Sequence, residues 1–243
     1  MEQKFVDRMV DGCRDLGISL LQKQIEQFYQ YYGILIEWNE RMNLTAITEW
    51  EEVVHKHFID SLSLIRAIDS WEDTRIQLID VGTGAGFPGI PLKIAFPFLS
   101  VTLLDSLNKR VTFLQEVIEK LSLSDIIALH GRAEDFGRNK EYREKFDICV
   151  SRAVANIATL SEYCVPFIRT GGLFVAYKSG KIEEELETGK RAIEILGGEI
   201  QKNVSFVLPG TDAKRNLLVI KKVRTTGKRY PRKAGMPGKE PII

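Results

Sequence analysis

The chain has 243 residues, of which 44% are hydrophobic, and a formal net charge of +1. This length suits one α/β domain with an appendage or two small domains, and the apolar content is that of a globular protein with a sizeable core. The near-neutral charge argues neither for nor against nucleic acid. After Lys221, however, Lys and Arg are frequent and Glu240 is the only acid. A locally basic end of this kind is expected where a chain contacts a polyanion.

The cysteines and the apolar runs restrict the class of protein further. The three cysteines lie far apart without a Cys-x-x-Cys pair, which argues against a disulfide framework or a zinc site. The first residues contain no apolar signal core, and no apolar run is long enough to span a bilayer. We therefore expect a soluble, cytoplasmic protein without a membrane partner and without a bound metal.

The first part of the chain has the periodicity of helices. Apolar residues recur at helical spacing from Leu21 to Leu35, which predicts a helix that ends near Asn39. Thr48 and Glu51 have the spacing of a capping box before the next helical segment. The charged stretch 70–75 is the expected boundary. We therefore predict a helical extension over residues 1–72, an α/β domain over 73–223 and a basic, extended tail over 224–243.

After residue 75 the pattern changes to strands and helices in alternation. Such alternation predicts an α/β fold with a doubly wound, largely parallel sheet and helices on both faces. The expected strands lie at 76–81, 101–104, 126–129, 146–150, 172–177, 204–207 and 217–220, and the helices at 89–96, 109–121, 157–165 and 183–196.

A glycine-rich loop follows the first expected strand, where doubly wound sheets bind their ligands. Gly84, Gly86 and Gly89 match the dinucleotide spacing G-x-G-x-x-G, which alone is a weak signal. Asp80 lies before these glycines, and a carboxylate suits the ammonium and sulfonium of S-adenosylmethionine better than a pyrophosphate. Two prolines near the helix start remove backbone donors that a phosphate needs. The loop therefore favours S-adenosylmethionine over NAD.

Two further turns offer ligand contacts that do not distinguish S-adenosylmethionine from NAD. Asp105 ends the second strand about twenty residues past the loop, where an acid can reach ribose hydroxyls of either cofactor. An ordinary turn aspartate is the alternative. The turn 131–135 could bracket an adenine ring, and a plain polar loop explains it equally well.

The atom that would accept the methyl group is predicted from the absence of the motifs that other methyltransferases use. Cys149 and Cys164 have the pattern of buried residues, which disfavours methylation at pyrimidine C5 through a cysteine nucleophile. Ser151-Arg152-Ala153-Val154 stands where enzymes that methylate exocyclic amines usually carry an Asn/Asp-Pro-Pro-aromatic loop. A ring nitrogen such as guanine N7 loses no proton, so alignment and electrostatics suffice. The pattern is consistent with that chemistry, for which no general base is expected.

A few side chains near the fourth strand could act in the cleft. Arg152 could grip a guanine edge or a phosphate, or hold the carboxylate of the cofactor, and a surface salt bridge is the alternative. His57, Asp60 and Ser61 could line the same cleft, although a capping role is at least as plausible for Asp60 and Ser61. His55 and His57 are expected on different faces of a helix, so they do not predict a metal site.

These motifs together resemble the RsmG (GidB) family over nearly the whole chain and in the same order. The end of the loop, Phe87-Pro88-Gly89, and the Arg-Ala-Glu box are the most specific of them. In this chain Ser179 separates Lys178 from Gly180, whereas many members have Lys-Gly there. The motifs are Met42-Asn43-Leu44-Thr45-Ala46-Ile47, His57-Phe58-Ile59-Asp60-Ser61-Leu62, Asp80 to Gly89, Gly131-Arg132-Ala133-Glu134 and Ser151-Arg152-Ala153, and the tail Tyr230 to Gly235 resembles Bacillus-like members.

The resemblance implies a class I (Rossmann-like) methyltransferase fold with a seven-stranded sheet, with the cofactor bound in the domain 73–223. It implies methyl transfer from S-adenosylmethionine to N7 of guanine 527 in 16S ribosomal RNA, within the small subunit or its precursor, by a protein expected to be a monomer. Arg152 is the expected positioning residue. The expected cofactor contacts are Asp80, Gly82, Gly84, Gly86, Phe87, Asp105, Ala133, Glu134 and Arg152.

The RNA contacts expected from charge and place act mainly on phosphates. For Lys109 and Arg110 a solvated helical turn is an equal alternative. A small-molecule methyltransferase, a non-catalytic RNA-binding assembly factor and a dehydrogenase are the other functions that the residues allow. The expected RNA contacts are Lys109, Arg110, Lys178, Lys228, Arg229, Arg232 and Lys233.

Overall fold

The structure is a computed structural model, and it describes residues 2–68, 75–153, 155–180 and 182–242. Two long helices open the chain, α1 (Gln3–Arg14) and α2 (Gln22–Asn39), and α2 confirms the helix predicted to end near Asn39. Its apolar face is buried at Phe28, Tyr31 and Leu35. The domain boundary expected at 70–75 falls largely on residues 69–74, which lie outside the described residues.

A second helical segment follows as one continuous run. It comprises α3 (Trp50–Val53), a π-helical turn (Val54–Ile59), α4 (Asp60–Leu62) and a 3₁₀ turn (Ser63–Arg66). The capping box expected at Thr48 is wrong: Glu49 is the N-cap residue, and no side chain caps the helix. The reason is that the helix begins one residue later than the box requires.

The described part of the chain builds one seven-stranded sheet. The strand order is β3-β2-β1-β4-β5-β7-β6, and only β7 is antiparallel to its neighbours β5 and β6. This arrangement confirms the expected class I fold. The strands are β1 (Gln77–Val81), β2 (Ser100–Asp105), β3 (Ile126–His130), β4 (Phe146–Ser151), β5 (Ile168–Ser179), β6 (Gly198–Val207) and β7 (Lys214–Lys222).

Helices cover both faces of the central strands, whose side chains are buried on either side of the sheet. In β1, Leu78 belongs to one hydrophobic cluster and Ile79 to the other. The first cluster joins the N-terminal helices to the sheet, and Tyr31 donates its hydroxyl proton to the carbonyl oxygen of Ala85. The extension thus shares the core of the domain. The helices after the first strand are α5 (Gly89–Ala95), α6 (Asn108–Lys120), α7 (Ala133–Phe136), α8 (Ile157–Cys164), α9 (Glu183–Leu196) and α10 (Met236–Lys239).

The last part of the chain differs from the extended tail that the sequence predicts. It packs on the outside of the second cluster, where Tyr230 is buried, and ends in α10 against α8. The reason is that this segment contains an aromatic residue and an arginine that find buried partners, in addition to its glycines and prolines. Within the ranges that the structure describes, no helix is both long and apolar enough to cross a membrane.

Candidate functional site

The glycine loop between β1 and α5 is held by a buried carboxylate. Asp80 Oδ2 accepts hydrogen bonds from Thr83 Oγ1 at 2.6 Å and from the backbone N–H of Gly89 at 2.8 Å. Gly82, with φ of 71°, has a backbone conformation that side chains rarely adopt. Asp80 therefore lies beneath the loop and fastens both of its ends.

Burial disfavours the charged form of the Asp80 carboxylate. The side chain is fully buried, and its Oδ1 atom has no hydrogen-bond partner among the described residues. Burial raises the pKa of Asp80 from 3.8 to about 6, although the hydrogen bonds from Thr83 and Gly89 oppose this shift. Asp80 lines neither of the two cavities described below. Direct contact between Asp80 and a cofactor stays a prediction. In the structure, Asp80 holds the loop through its hydrogen bonds to Thr83 and Gly89.

Asp105 joins the glycine loop to the turn after β2. Its Oδ2 atom accepts from the backbone N–H of Gly84 at 2.9 Å, and its Oδ1 atom accepts from that of Leu107 at 2.9 Å. The guanidinium of Arg110, an expected RNA contact, lies 3.5 Å from Oδ2. The two carboxylates of the site thus organise backbone at the carboxyl edge of the sheet.

A cavity of about 190 Å³ opens beside this loop, and we call it the cofactor cavity. Three of the expected cofactor contacts line it, namely Gly82, Ala133 and Glu134. A Cβ atom at Gly82 would meet the Cβ of Ala153 at 3.5 Å, so the missing side chain helps to keep the cavity open. Gly84 and Gly86 do not line it, and a side chain at Gly86 would collide with α5 and with Tyr31.

A larger cavity of about 620 Å³ adjoins the first, and we call it the acceptor cavity. Ala153 lines both cavities. Cationic and polar side chains from four elements surround the larger one. They include Lys56, His57, Asp60, Arg152, Lys178 and Arg215.

Arg152 is held by the N-terminal helical segment. Its Nη1 atom donates to the carbonyl oxygen of Lys56 at 3.1 Å and to Asp60 Oδ2 at 3.2 Å. Its Nη2 atom lies 3.3 Å from His57 Nδ1, and the guanidinium stands over the ring of Phe87 at 5.0 Å from the ring centre. The expected salt bridge therefore exists, but it is internal and fixes the guanidinium in the lining of the acceptor cavity.

His57 is a neutral imidazole in this arrangement. Its ring stacks on Phe87 with centres 4.5 Å apart, and its Nε2 atom lies 2.8 Å from Thr45 Oγ1. Burial and the charge of Arg152 lower the pKa of His57 to about 3. A neutral ring with its proton on Nε2 donates to Thr45 and accepts from Arg152, so every contact is satisfied.

Arg215 is a residue of this cavity that the sequence did not single out. Its Nε atom donates to Asp60 Oδ1 at 2.9 Å, so the nearly buried Asp60 carboxylate is shared by Arg215 and Arg152. Arg215 is brought there by the pairing of β7 with β5, opposite Ser179. No local motif marks it, because its partner Asp60 lies 155 residues away in the chain.

The other expected RNA contacts occupy different environments. Lys178 lines the acceptor cavity and donates to Glu185 Oε1 and to the carbonyl oxygen of Ala155, both at 2.6 Å. Arg232 pairs with the buried Glu162 at 2.7 Å. The remaining expected contacts, Lys109, Lys228, Arg229 and Lys233, are exposed.

Neither a cysteine nucleophile nor a metal cluster is present in the part of the chain that the structure describes. All three cysteines are buried, and burial raises the pKa of the Cys149 thiol well above its usual value. Over the described residues, no group of three or more His, Cys, Asp or Glu side chains could hold a metal ion.

Comparison with known proteins decides the family. The sequence profile described as rRNA small subunit methyltransferase G matches residues 24–218. The chain belongs to this family. Members include the ribosomal RNA small subunit methyltransferase G of Lachnoclostridium phytofermentans, 57% identical over 234 residues that cover 96% of each chain. That of Acetivibrio thermocellus is 53% identical over 241 residues, or 99% of this chain and 98% of the relative.

A solved structure agrees on the fold of this family member. Geranyl diphosphate C-methyltransferase from Streptomyces coelicolor A3(2), solved with S-adenosyl-L-homocysteine, matches 67% of this chain and 78% of its own with a TM-score of 0.51. Its sequence identity of 11% limits the likeness to the fold. Family membership confirms the resemblance and places the chain among the methyltransferases, which overturns the dehydrogenase alternative.

Proposed function

We propose that the chain transfers a methyl group from S-adenosylmethionine to N7 of guanine 527 in 16S ribosomal RNA. The observation that carries the proposal is the junction of the two cavities at Ala153, with the neighbouring Arg152 in the lining of the larger one. One cavity lies beside the glycine loop, where a cofactor of this fold binds. The other is cationic and open to a nucleotide.

The cofactor cavity fits S-adenosylmethionine because it offers accessible backbone at Gly82 and the carboxylate of Glu134. The missing side chain at Gly82 lets a ligand approach the backbone, and Glu134 offers a carboxylate in the lining of the same cavity. Gly82, Ala133 and Glu134, which line the cavity, are the residues that would hold the cofactor; of the other two positions that match the family's contacts, Arg152 lines the adjoining acceptor cavity and Phe87 lines neither. When bound, S-adenosylmethionine supplies an electrophilic methyl group.

The acceptor cavity fits an anionic nucleotide. Arg152 and Arg215 share the single carboxylate of Asp60, which leaves one positive charge in excess at that point. Guanidinium groups bind phosphates and guanine edges with two hydrogen bonds. An Arg152 N–H bond to the base must go to O6, because a donor on N7 would occupy the lone pair that attacks the methyl group.

The surrounding side chains suit a reaction without proton removal. His57, with its pKa lowered to about 3, is neutral and already bonded at both nitrogens. Asp60 and Glu185 are tied to arginine and lysine partners. Methylation at N7 requires the base to be aligned with the methyl group. The carboxylate of Asp60 moderates the repulsion between Arg152 and the positive charge of the product.

The class of RNA is taken from relatives that are named for the ribosomal RNA of the small subunit. We expect Lys109, Arg110, Lys178 and the exposed basic residues of the C-terminal segment to contact RNA phosphates. The enzyme would then act as a monomer in the cytoplasm.

A transfer assay with competing acceptors tests the proposal. Methyl-labelled S-adenosylmethionine is supplied with purified enzyme and, separately, with 30S particles lacking the modification, free 16S RNA and a pool of small metabolites. We expect label in 16S RNA, from particles or free RNA. Label only in metabolites would establish a small-molecule methyltransferase instead, and bound but untransferred cofactor would indicate a non-catalytic RNA-binding factor.

A further inference from the structure

The segment 226–240, which we call the C-terminal strap, lies beyond residue 218, where the match to the family profile ends. It crosses the outside of α7 and α8, the two helices that line the cofactor cavity with Ala133, Glu134, Leu160 and Tyr163. The strap therefore touches the walls of a site whose residues lie far from it in sequence.

Buried polar contacts fix the strap to the body. The side chain of Glu162 is 1% exposed and accepts from Arg232 at its backbone N–H (2.7 Å), Nε and Nη2 atoms. Arg143 donates to the carbonyl oxygens of Thr226 and Tyr230 at 2.7 and 2.8 Å. Separating Arg232 from Glu162 would leave the carboxylate of Glu162 buried without its partner, which is costly, so the strap is held firmly.

One contact of the strap reaches the cofactor cavity itself. The backbone N–H of Gly235 donates to Glu134 Oε1 at 2.7 Å, and Glu134 is 5% exposed. Two residues further, the carbonyl oxygen of Pro237 accepts from Thr159 Oγ1 at 3.0 Å. Gly235 thus holds one oxygen of the Glu134 carboxylate, and the described residues form no hydrogen bond to the other.

We propose that the C-terminal strap is part of the cofactor site, with the Gly235 N–H as the group that positions Glu134 for the adenosine portion of S-adenosylmethionine. This inference rests on the proposed function, in which Glu134 binds the cofactor. A charge-assisted hydrogen bond to a carboxylate is strong and directional, so its loss frees Glu134 to rotate away from the ligand. The strap acts through Glu134 and makes no contact with the reacting atoms.

A matched pair of substitutions at Gly235 tests the positioning role. Gly235→Pro removes the N–H donor and, because proline cannot adopt a φ of 81°, also shifts the strap backbone at this residue, whereas Gly235→Asn keeps both the donor and the backbone. Gly235 has φ of 81°, which Asn tolerates, and an added Cβ meets nothing within 4 Å. By calorimetric titration with S-adenosylmethionine, we expect the Pro variant to bind about tenfold more weakly and the Asn variant within about twofold of the unaltered chain.

A double-mutant cycle shows whether the effect passes through Glu134. In a Glu134→Ala background, followed to millimolar ligand, Gly235→Pro should change the dissociation constant less than about twofold. An equal loss in both backgrounds, or none in either, overturns the inference. If the proline variant does not fold, a chain ending at Lys233 replaces it. This chain keeps the pair between Arg232 and Glu162 and should show the same tenfold loss of affinity.

The outcome is separable from that of the proposed function. An unaltered chain that does not bind S-adenosylmethionine refutes the proposed function, whereas tight binding that is insensitive to Gly235→Pro refutes only the role of the strap. The thermal midpoint without cofactor is measured for each variant, so that a loss of folding is recognised before affinities are compared.

Discussion

The glycine loop and the acceptor cavity are built over very different distances along the chain. In the loop, Asp80 bonds to Thr83 and Gly89, three and nine residues away. In the cavity, Asp60 bonds to Arg152 and Arg215, 92 and 155 residues away. The difference teaches that the glycine loop depends on a local motif, whereas the acceptor cavity depends on the completed fold. Substitutions in the two regions should therefore have different consequences.

The largest effect is expected from Arg152→Ala. It removes the guanidinium from the wall of the acceptor cavity, and we expect the single-turnover rate of methyl transfer to fall about 1000-fold at saturating cofactor and RNA. Because Arg215 still pairs with Asp60, the free energy of unfolding should fall by only about 1 kcal/mol. Arg152→Lys keeps the charge and loses the fork of donors, so it should be intermediate. Transfer within threefold of the unaltered chain would remove Arg152 from the reaction.

Asp80→Asn should change the pH dependence of stability. The unfolded carboxyl loses its proton near pH 3.8 and the folded one near pH 6, so folding is linked to proton uptake between these values. As pH rises through this window, the unaltered chain should lose about 3 kcal/mol of unfolding free energy relative to Asp80→Asn. Urea unfolding of both proteins at pH 4 and pH 7 measures this difference. A difference that is independent of pH would contradict the buried, neutral carboxyl at low pH.

Gly89→Ala should destabilise the loop through its packing. The added Cβ overlaps Leu103 Cδ2 and lies 3.0 Å from Asp80 Oδ2, so we expect the free energy of unfolding to fall by about 2 kcal/mol. Gly33→Ala is the matched control, because a Cβ in the middle of α2 meets nothing within 4 Å. There the better helix propensity of alanine should add about 1 kcal/mol. Equal effects at both positions would show that the loop is not tightly packed.

The smallest effect is expected at the surface of the C-terminal strap. Removing two exposed lysines with Lys228→Ala and Lys233→Ala should lower the slope of log affinity for RNA against log salt by about 1 to 2. Lys4→Ala with Lys23→Ala, the same charge change on the N-terminal helices, is the control and should leave the slope unchanged. Filter binding over a salt series gives both slopes, and equal slopes in the two variants would exclude the strap from RNA contact.

Much of the fold was predictable because its signals are local. Strand and helix alternation, with glycines and prolines as stops, indicates the seven strands and the long helices, and Glu183–Leu196 agrees at both ends. The strands β6 and β7 are longer than their apolar runs because antiparallel pairing continues along residues with polar side chains, whereas β5 begins earlier, at Ile168, where it pairs in parallel with Phe146 of β4. The π-helical turn that carries His57 has no such local signal.

The site was predictable only in part, for the same reason. The sequence places Glu134 and Arg152 near the ligand because each follows a strand, and both reach a cavity. The depth of Asp80 beneath the loop depends on how α5 packs, and the sequence does not reveal it. Arg215 and the bond from Gly235 to Glu134 depend on contacts between distant segments. The sequence pattern of a single chain does not predict such contacts, because it records only which residues are neighbours along the chain.

The most direct measurement identifies the methylated base. 30S particles lacking the modification, with guanine or adenine at position 527 of 16S RNA, are treated with enzyme and S-adenosylmethionine, and the RNA is digested and analysed by mass spectrometry. The proposed function, argued from the two cavities that meet at Ala153 and from the family of the chain, predicts one 7-methylguanosine at position 527 and none in the adenine particles. A methyl group on another base, on another atom, or on both kinds of particle would contradict the proposed reaction.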